Sequence, residues 1–347
     1  MSENFTQILD LLNSKQLPSH SELFLKAEKA CTVLEEEICS YRPACTENQA
    51  GSLLDFIDCD LPTIVVPDLH ARPWFLADIL CFNLSEEFIG IDNKGITVFD
   101  ALEKGLIRVI CVGDALHSEW GTRDRWQRAL EEFADHIFTG ENMVEEMIDG
   151  LNLLCGLMKL KELFPANFHF LKGNHENILN LCGDGDFSFR KFADEGNMVR
   201  TFITEYYGED VLYILACTEN KLPLIAVTNN CVVSHAEAAR EFSREELINA
   251  KNCEGIVAAL TWTDNGSAEN DSAEKIMKNL TGRENVEDMI YLGGHRPVTD
   301  NYSARQNGKY IQIHNPGKEN IALVHLNRKF LPDYDIVSVK KQEKVDE

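Results

Sequence analysis

The sequence predicts an α/β fold with a mixed sheet or two sheets, and three observations predict it. Short apolar runs alternate with helical stretches early in the chain and then follow one another in series. The intervening stretches repeat apolar residues at spacings of three and four, the helical period. Five apolar runs also end abruptly in polar clusters: "VVPDLH", "CVGDALH", "FLKGNHE", "VVSHAE" and "YLGGHRP".

In chain order, residues 1–58 read as an N-terminal helical extension packed on the core, because "NFTQILDLLN" and "ELFLKAEKACTVLEEEICSY" both carry an apolar stripe. The main domain is expected at 59–332, with a helical insert near 118–163, and a charged tail at 333–347. "LPTIVVPD" (61–68) is a β-branched run that stops at Pro-Asp, hence a buried strand. "RPWFLADILCFNL" (72–84) reads as helix and "LIRVICVGD" (106–114) as a second strand. In the insert, Val144, Met147, Ile148, Leu151, Leu154, Cys155 and Met158 make one stripe, and the helix stops before Pro165. "NFHFLKGN" is the third strand. "FSFRKFADEG" and "FITEYYGEDVLYIL" read as aromatic-rich helix. "LPLIAVTNNCVVSHAE" holds two strands with a turn at Asn229-Asn230, and "DMIYLGGHRPV", "KYIQIHNPG" and "NIALVHLN" are further strands.

Composition excludes several function classes. With 347 residues, 44% of them hydrophobic, the chain is long enough for one large core or two modest ones. It has no apolar window of about 18 residues, so no membrane span is expected. The start, "MSENFTQILDLLNSKQ", lacks a basic segment leading into an apolar one, so no secretory signal is expected and the reading is cytoplasmic. The 11 cysteines form no CxxC pair, and Cys111 and Cys231 lie inside apolar runs, as free thiols do in a reducing compartment. A formal charge of −24 repels polyphosphate backbones and argues against general nucleic-acid binding, although a local cationic site could accept a phosphate. Composition sets no oligomeric state.

The polar clusters carry the chemistry. In layered α/β folds ligands collect outside the carboxyl ends of strands. Five such ends would bring together Asp68, His70, Asp114, Asn174, His175, His235 and His295. Oxygen and imidazole donors with no thiolate suit manganese, iron or zinc rather than calcium.

The motifs "PDLHA", "VGD", "GNHEN", "VSHAE" and "GGHRP" resemble, in order, those of the calcineurin-like metallophosphoesterases. "FPANFHFLKGNHE" and "LTWTDN" (260–265) are similar to the phosphoprotein phosphatase, or serine/threonine phosphatase, branch. The resemblance covers roughly residues 62–325 and not the N-terminal helices. It implies an α/β/β/α sandwich of two mixed sheets with flanking helices. It also implies a phosphoric ester hydrolase with two divalent transition-metal ions, manganese first, iron or zinc next. By match, Asp68 and His70 hold the first ion, Asp114 bridges, and Asn174, His235 and His295 hold the second. A metal-bridging hydroxide would attack phosphorus, Asp114 holding it between the ions, and His175 would protonate the leaving oxygen.

Departures from the pattern shape the remaining expectations. After "GD" the family continues to an Asp and an Arg, whereas here His117 and Ser118 stand there. His117 is expected to pair with His175, to contact the substrate or only to pack, and Arg72 to clamp phosphate in bidentate fashion. Arg123, Arg125 and Arg283 read as surface residues, and His314 in "IQIHNPG" as a hydrogen-bonded residue closing a strand. The substrate is expected to be a phosphoprotein or a small phosphoester. The alternatives are hydrolysis of a nucleotide or dinucleoside polyphosphate, and a non-catalytic regulatory or scaffold role.

Overall fold

A computed structural model describes residues 2–90 and 95–340. Eleven strands are described: β1 (Leu53–Phe56), β2 (Thr63–Val66), β3 (Arg108–Cys111), β4 (Phe168–Phe170), β5 (Ile225–Thr228), β6 (Cys231–Ser234), β7 (Ile290–Gly293), β8 (Ser303–Arg305), β9 (Tyr310–Gln312), β10 (Asn320–Val324) and β11 (Ile336–Ser338). They form two mixed sheets, ordered β1-β5-β6-β7-β9-β8 and β11-β10-β2-β3-β4.

Each sheet contains a parallel run: β2-β3-β4 in one, β6-β7-β9 in the other. Parallel neighbours end at the same edge, so the polar clusters that follow these six strands gather in one place. The strands are apolar on both faces because both faces are covered. Alternate residues of β2 and β3 divide accordingly. Val65 and Ile110 pack between the sheets with Leu54, Phe56, Val233 and Leu292. Ile64, Val66, Val109 and Cys111 face outward, against Phe75, Leu76 and Ile79 of the helix Pro73–Cys81 and Leu153 and Leu157 of the helix Glu141–Leu163. On the far side Ile225, Val227 and Tyr291 pack on Leu260, Ile276 and Met277. The result is the expected α/β/β/α order.

Three stretches depart from their sequence-based reading. Residues 1–58 supply two helices, Glu3–Leu12 and His20–Glu35, but also β1, which pairs in parallel with β5 at the edge of the larger sheet. "LLDF" is broken by the partly exposed Asp55 and lacks the continuous β-branched run that marks the buried strands. "FSFRKFADEG" is not helical before Glu195. Side chains hold a loop there instead: Asn177 Nδ2 donates to Phe187 O (2.5 Å), Asn180 Nδ2 to Gly196 O (2.9 Å), and the Glu195 carboxylate accepts from the backbone of Lys191 and Phe192. The expected tail begins with ordered structure, a helical turn Pro332–Asp335 and β11 paired with β10. Its residues 341–347 lie outside the described residues.

A buried ion cluster ties the N-terminal segment down. The Glu37 carboxylate accepts from Lys161 Nζ (2.5 Å) and from Arg42, which also donates to the carbonyls of Gly51 and Lys221. Among the described residues no helix is long and apolar enough to cross a membrane.

Candidate metal centre

The loops leaving β2, β3, β4, β6, β7 and β9 stay bonded to one another past the strand ends. His70 N donates to Asp114 O (2.7 Å), Leu171 N to Cys111 O (2.9 Å), Gly294 N to His235 O (2.7 Å) and Ile313 N to Gly293 O (2.9 Å). His70, Asp114, His117 and His295 all adopt positive φ, between 43° and 69°. For residues with a Cβ this costs of order 1–3 kcal/mol each, a strain that persists where surrounding contacts over-determine the site. Two glycines allow the approach. A Cβ at Gly294 would overlap Asp68 Oδ2, and one at Gly173 would overlap Asp114 Oδ1.

The two aspartates are aimed in the same manner. Asp68 Oδ1 accepts from His295 N (2.9 Å) and Asp114 Oδ1 from His175 N (3.0 Å). Each Oδ2 is left buried without a hydrogen bond, as are His70 Nε2 and His314 Nδ1. An unsatisfied buried polar atom costs about 1–3 kcal/mol, and a charged one more, so this concentration calls for a cation.

Asp114 Oδ2 lies at the centre, 3.6 Å from His70 Nε2, 3.5 Å from His235 Nε2 and 3.7 Å from His175 Nε2. Asn174 Oδ1 sits 2.8 Å from His235 Nε2 and 3.0 Å from His295 Nδ1. Two donors about 2.1 Å from one ion and at right angles lie about 3.0 Å apart, so these spacings fit adjacent coordination positions. His70 donates Nδ1–H to His117 O (3.0 Å) and His235 donates Nδ1–H to Val112 O (3.1 Å). Such outer bonds fix the tautomer that leaves Nε2 bare for a metal.

The structure thus brings Asp68, His70, Asp114, Asn174, His235 and His295 together in a donor set that could hold two ions. Burial keeps the imidazoles neutral, the ligating form: His70 is pushed down to about 4, His295 to about 2, and His235 below its ordinary value. Asp114 is pushed well above the ordinary carboxylate range by burial and by Glu176 and Asp68. Burial acts against Asp68 too, but His314, His235 and His70 hold it below its ordinary value.

Glu176, the last residue of "GNHE", fastens the loops after β3 and β4. Its carboxylate accepts from Asp114 N (2.9 Å), Ala115 N (2.8 Å) and Gly173 N (2.7 Å). His175 points Nε2 toward Asp114 and places Nδ1 2.9 Å from His117 Nδ1. Phe189, from the loop expected to be helical, covers its ring at 3.7 Å between centroids. Trp262 of "LTWTDN" lies 6.3 Å from the His295 ring, and Asp264 pairs with Arg296.

Arg72 is placed differently from its expected role. It is buried, and four of its five donors go to backbone carbonyls: Nε to Leu69 (3.0 Å), Nη2 to Asp68 (2.6 Å), and Nη1 to Pro316 (3.3 Å) and Lys318 (3.0 Å). Arg125 reaches Ser118 Oγ at 3.0 Å but pairs its charge with buried Glu146, and Arg283 binds Asn229 at the β5–β6 turn, the edge opposite the site. Sequence reasoning missed Glu119, which lies 3.7 Å from His70 and 3.4 Å from His314. A carboxylate five positions after Asp114 was its only signal.

No family model matches the sequence, and no curated protein does. Among solved structures, the chain is similar to a protein serine/threonine phosphatase from Saccharomyces cerevisiae, described as similar to human phosphatase PP5. The TM-score is 0.59 at 15% identity, covering 100% of this chain and 98% of that one. A cold-active protein-tyrosine phosphatase of the psychrophile Shewanella sp. gives a TM-score of 0.43 at 14% identity over 83% of this chain and 82% of that one, too distant to carry an argument. At these identities the likeness is one of fold. The chain has the two-sheet α/β/β/α fold of the calcineurin-like metallophosphoesterases, the family its motifs resemble.

Proposed function

We propose that the protein is a two-metal phosphoesterase that hydrolyses phosphate esters. The observation that carries this reading is Asp114 Oδ2, a buried carboxylate oxygen without a hydrogen bond, ringed by imidazole nitrogens of His70, His175 and His235. When bound, two divalent ions supply Lewis-acid charge at phosphorus and make water acidic enough to attack near neutral pH. Asp68, His70 and Asp114 would hold one ion, and Asp114, Asn174, His235 and His295 the other. Manganese suits the oxygen donors, and iron or zinc the imidazoles.

His175 would supply the leaving-group proton from Nε2. The acid form is the imidazolium, which carries a hydrogen on Nδ1 as well, so His117 Nδ1 accepts in the pair. A carboxylate in place of His117 would favour the charged imidazolium, but a neutral imidazole does not. Burial, together with His70 and His117, already keeps His175 well below the ordinary range. His175 is then seldom in its charged, proton-donating form near neutral pH, which favours substrates whose leaving group needs little protonation. Phenols (pKa about 10) and phosphates (second pKa about 6) fit this better than a serine alkoxide. This favours an aryl phosphate or a nucleotide polyphosphate over phosphoserine.

Metal analysis and turnover of p-nitrophenyl phosphate test the proposal. The protein is expected to hold about two transition-metal ions per chain, and Asp114→Asn to abolish turnover. Absence of metal from protein exposed to manganese, iron and zinc would overturn the reading. Metal without turnover on aryl phosphates or dinucleoside polyphosphates would favour the non-catalytic alternative.

A further inference from the structure

We infer that His314 is an additional ligand of the first metal position, held in place by Glu119, Lys191 and Arg72. The inference rests on the two-metal reading above.

His314 follows β9, and its side chain is fully buried. Its Nδ1 makes no hydrogen bond and lies 3.4 Å from Asp68 Oδ2, which also makes none. The His70 ring, whose Nε2 is the third unsatisfied atom here, is 5.1 Å away. Asp68, His70 and His314 offer atoms all within 4.8 Å of one another, a spread that one ion can bridge. A buried histidine that only closed a strand would have its nitrogens satisfied by protein. Here Nε2 alone has a partner, Glu119 Oε2 at 3.4 Å. That places the hydrogen on Nε2 and leaves Nδ1 bare toward Asp68, the carboxylate–histidine–metal arrangement that orients a ligand and raises its basicity. The other Glu119 oxygen accepts from Lys191 Nζ at 2.5 Å.

The neighbouring loop explains why the imidazole comes from β9. Two residues after His295 stands Pro297, which offers no side-chain donor. Val298 N, one residue on, donates to His314 O (2.8 Å), so β9 delivers its histidine beside that proline. Arg72 then has a role other than clamping phosphate. It ties the carbonyls of Asp68 and Leu69 to those of Pro316 and Lys318, fixing the loop that carries His314 to the loop that carries Asp68 and His70. The first position would thus hold two imidazoles with the carboxylates of Asp68 and Asp114, a set softer than its manganese-like oxygen donors alone.

The test is calorimetric titration of Mn2+ into chelator-stripped protein, with thermal unfolding of the stripped forms as a folding control. Wild type is expected to bind two ions. His314→Ala should weaken one of them by more than the about 10- to 100-fold typical of losing an outer partner, and Glu119→Gln should weaken the same ion by about that amount. Asn174→Ala should weaken the other ion. Should His314→Ala not fold, the wild type loaded with Co2+ decides by proton NMR. Four exchangeable, hyperfine-shifted imidazole N–H signals are expected, from His70, His235, His295 and His314, and three would overturn the assignment. Two ions bound with unchanged affinity in His314→Ala would also overturn it while leaving the two-metal reading intact. No ion bound by wild type would instead sink that reading itself.

Discussion

Replacing His117 by aspartate tests how the site handles the leaving group. His117 Nδ1 is 2.9 Å from His175 Nδ1, and both rings are buried. A carboxylate there would accept Nδ1–H from His175 and stabilise its charged form. An opposite charge at such a distance moves a pKa by about 1–3 units. His175 starts well below its ordinary value because of burial and of His70 and His117, and substitution also removes one of those neighbours. While the value remains below neutrality, each unit gained raises the protonated fraction about 10-fold, so the variant holds about 10- to 1000-fold more imidazolium at pH 7. Substrates that need the proton benefit and those that do not are unaffected. The assay compares kcat on p-nitrophenyl phosphate with kcat on an alkyl phosphate such as β-glycerol phosphate. His117→Asp should raise the alkyl rate by about 10-fold or more, within the 10²–10⁴-fold reach of general acid catalysis, and change the aryl rate by less than about 3-fold. Equal changes on both substrates, or none on the alkyl one, would refute the assignment of His175 as an acid limited by its partner.

Two further outcomes follow from the packing. Glu37 is held far below its ordinary 4.5: burial opposes this, but His169, Lys161 and Arg42 prevail. A depressed carboxylate adds stability that is present above its unfolded value and lost as pH falls below it. Glu37→Gln should therefore cost about 3–5 kcal/mol at pH 7 and flatten the loss of stability below pH 4.5, measured by urea unfolding; an unchanged acid limb would count against the cluster. Gly294→Ala should displace Asp68 and weaken Mn2+ binding by about 10- to 100-fold, while Gly183→Ala, where a Cβ meets nothing, should leave binding unchanged.

The main strands and most of the donor set were legible in the sequence because both are local properties. "TIVV", "RVIC" and "CVVS" are buried on both faces, so they read as apolar runs whatever their partners. The residues that follow them, Asp68, Asp114, Asn174 and His235, are distinguished by type and position at a strand end. Strands β1, β8 and β11 were not legible, since each carries partly exposed residues and lacks the continuous buried run that marks the others. The loop carrying Phe189 was misread because its aromatic spacing suggests helix, whereas Asn177, Asn180 and Glu195 bind its backbone otherwise.

What only the tertiary structure decided is how the donors are used. Its place directly after "PDLHA" suggested Arg72 for phosphate, and folding gives its donors to four carbonyls. Spacing suggested that His314 merely closes a strand, and folding leaves its Nδ1 bare beside Asp68. Glu119, distant in sequence from His314, meets it, and Lys191 meets Glu119, only once both sheets are assembled. Hydrogen-bond saturation depends on every neighbour in space, so no single stretch of sequence shows which polar atoms remain free to bind an ion.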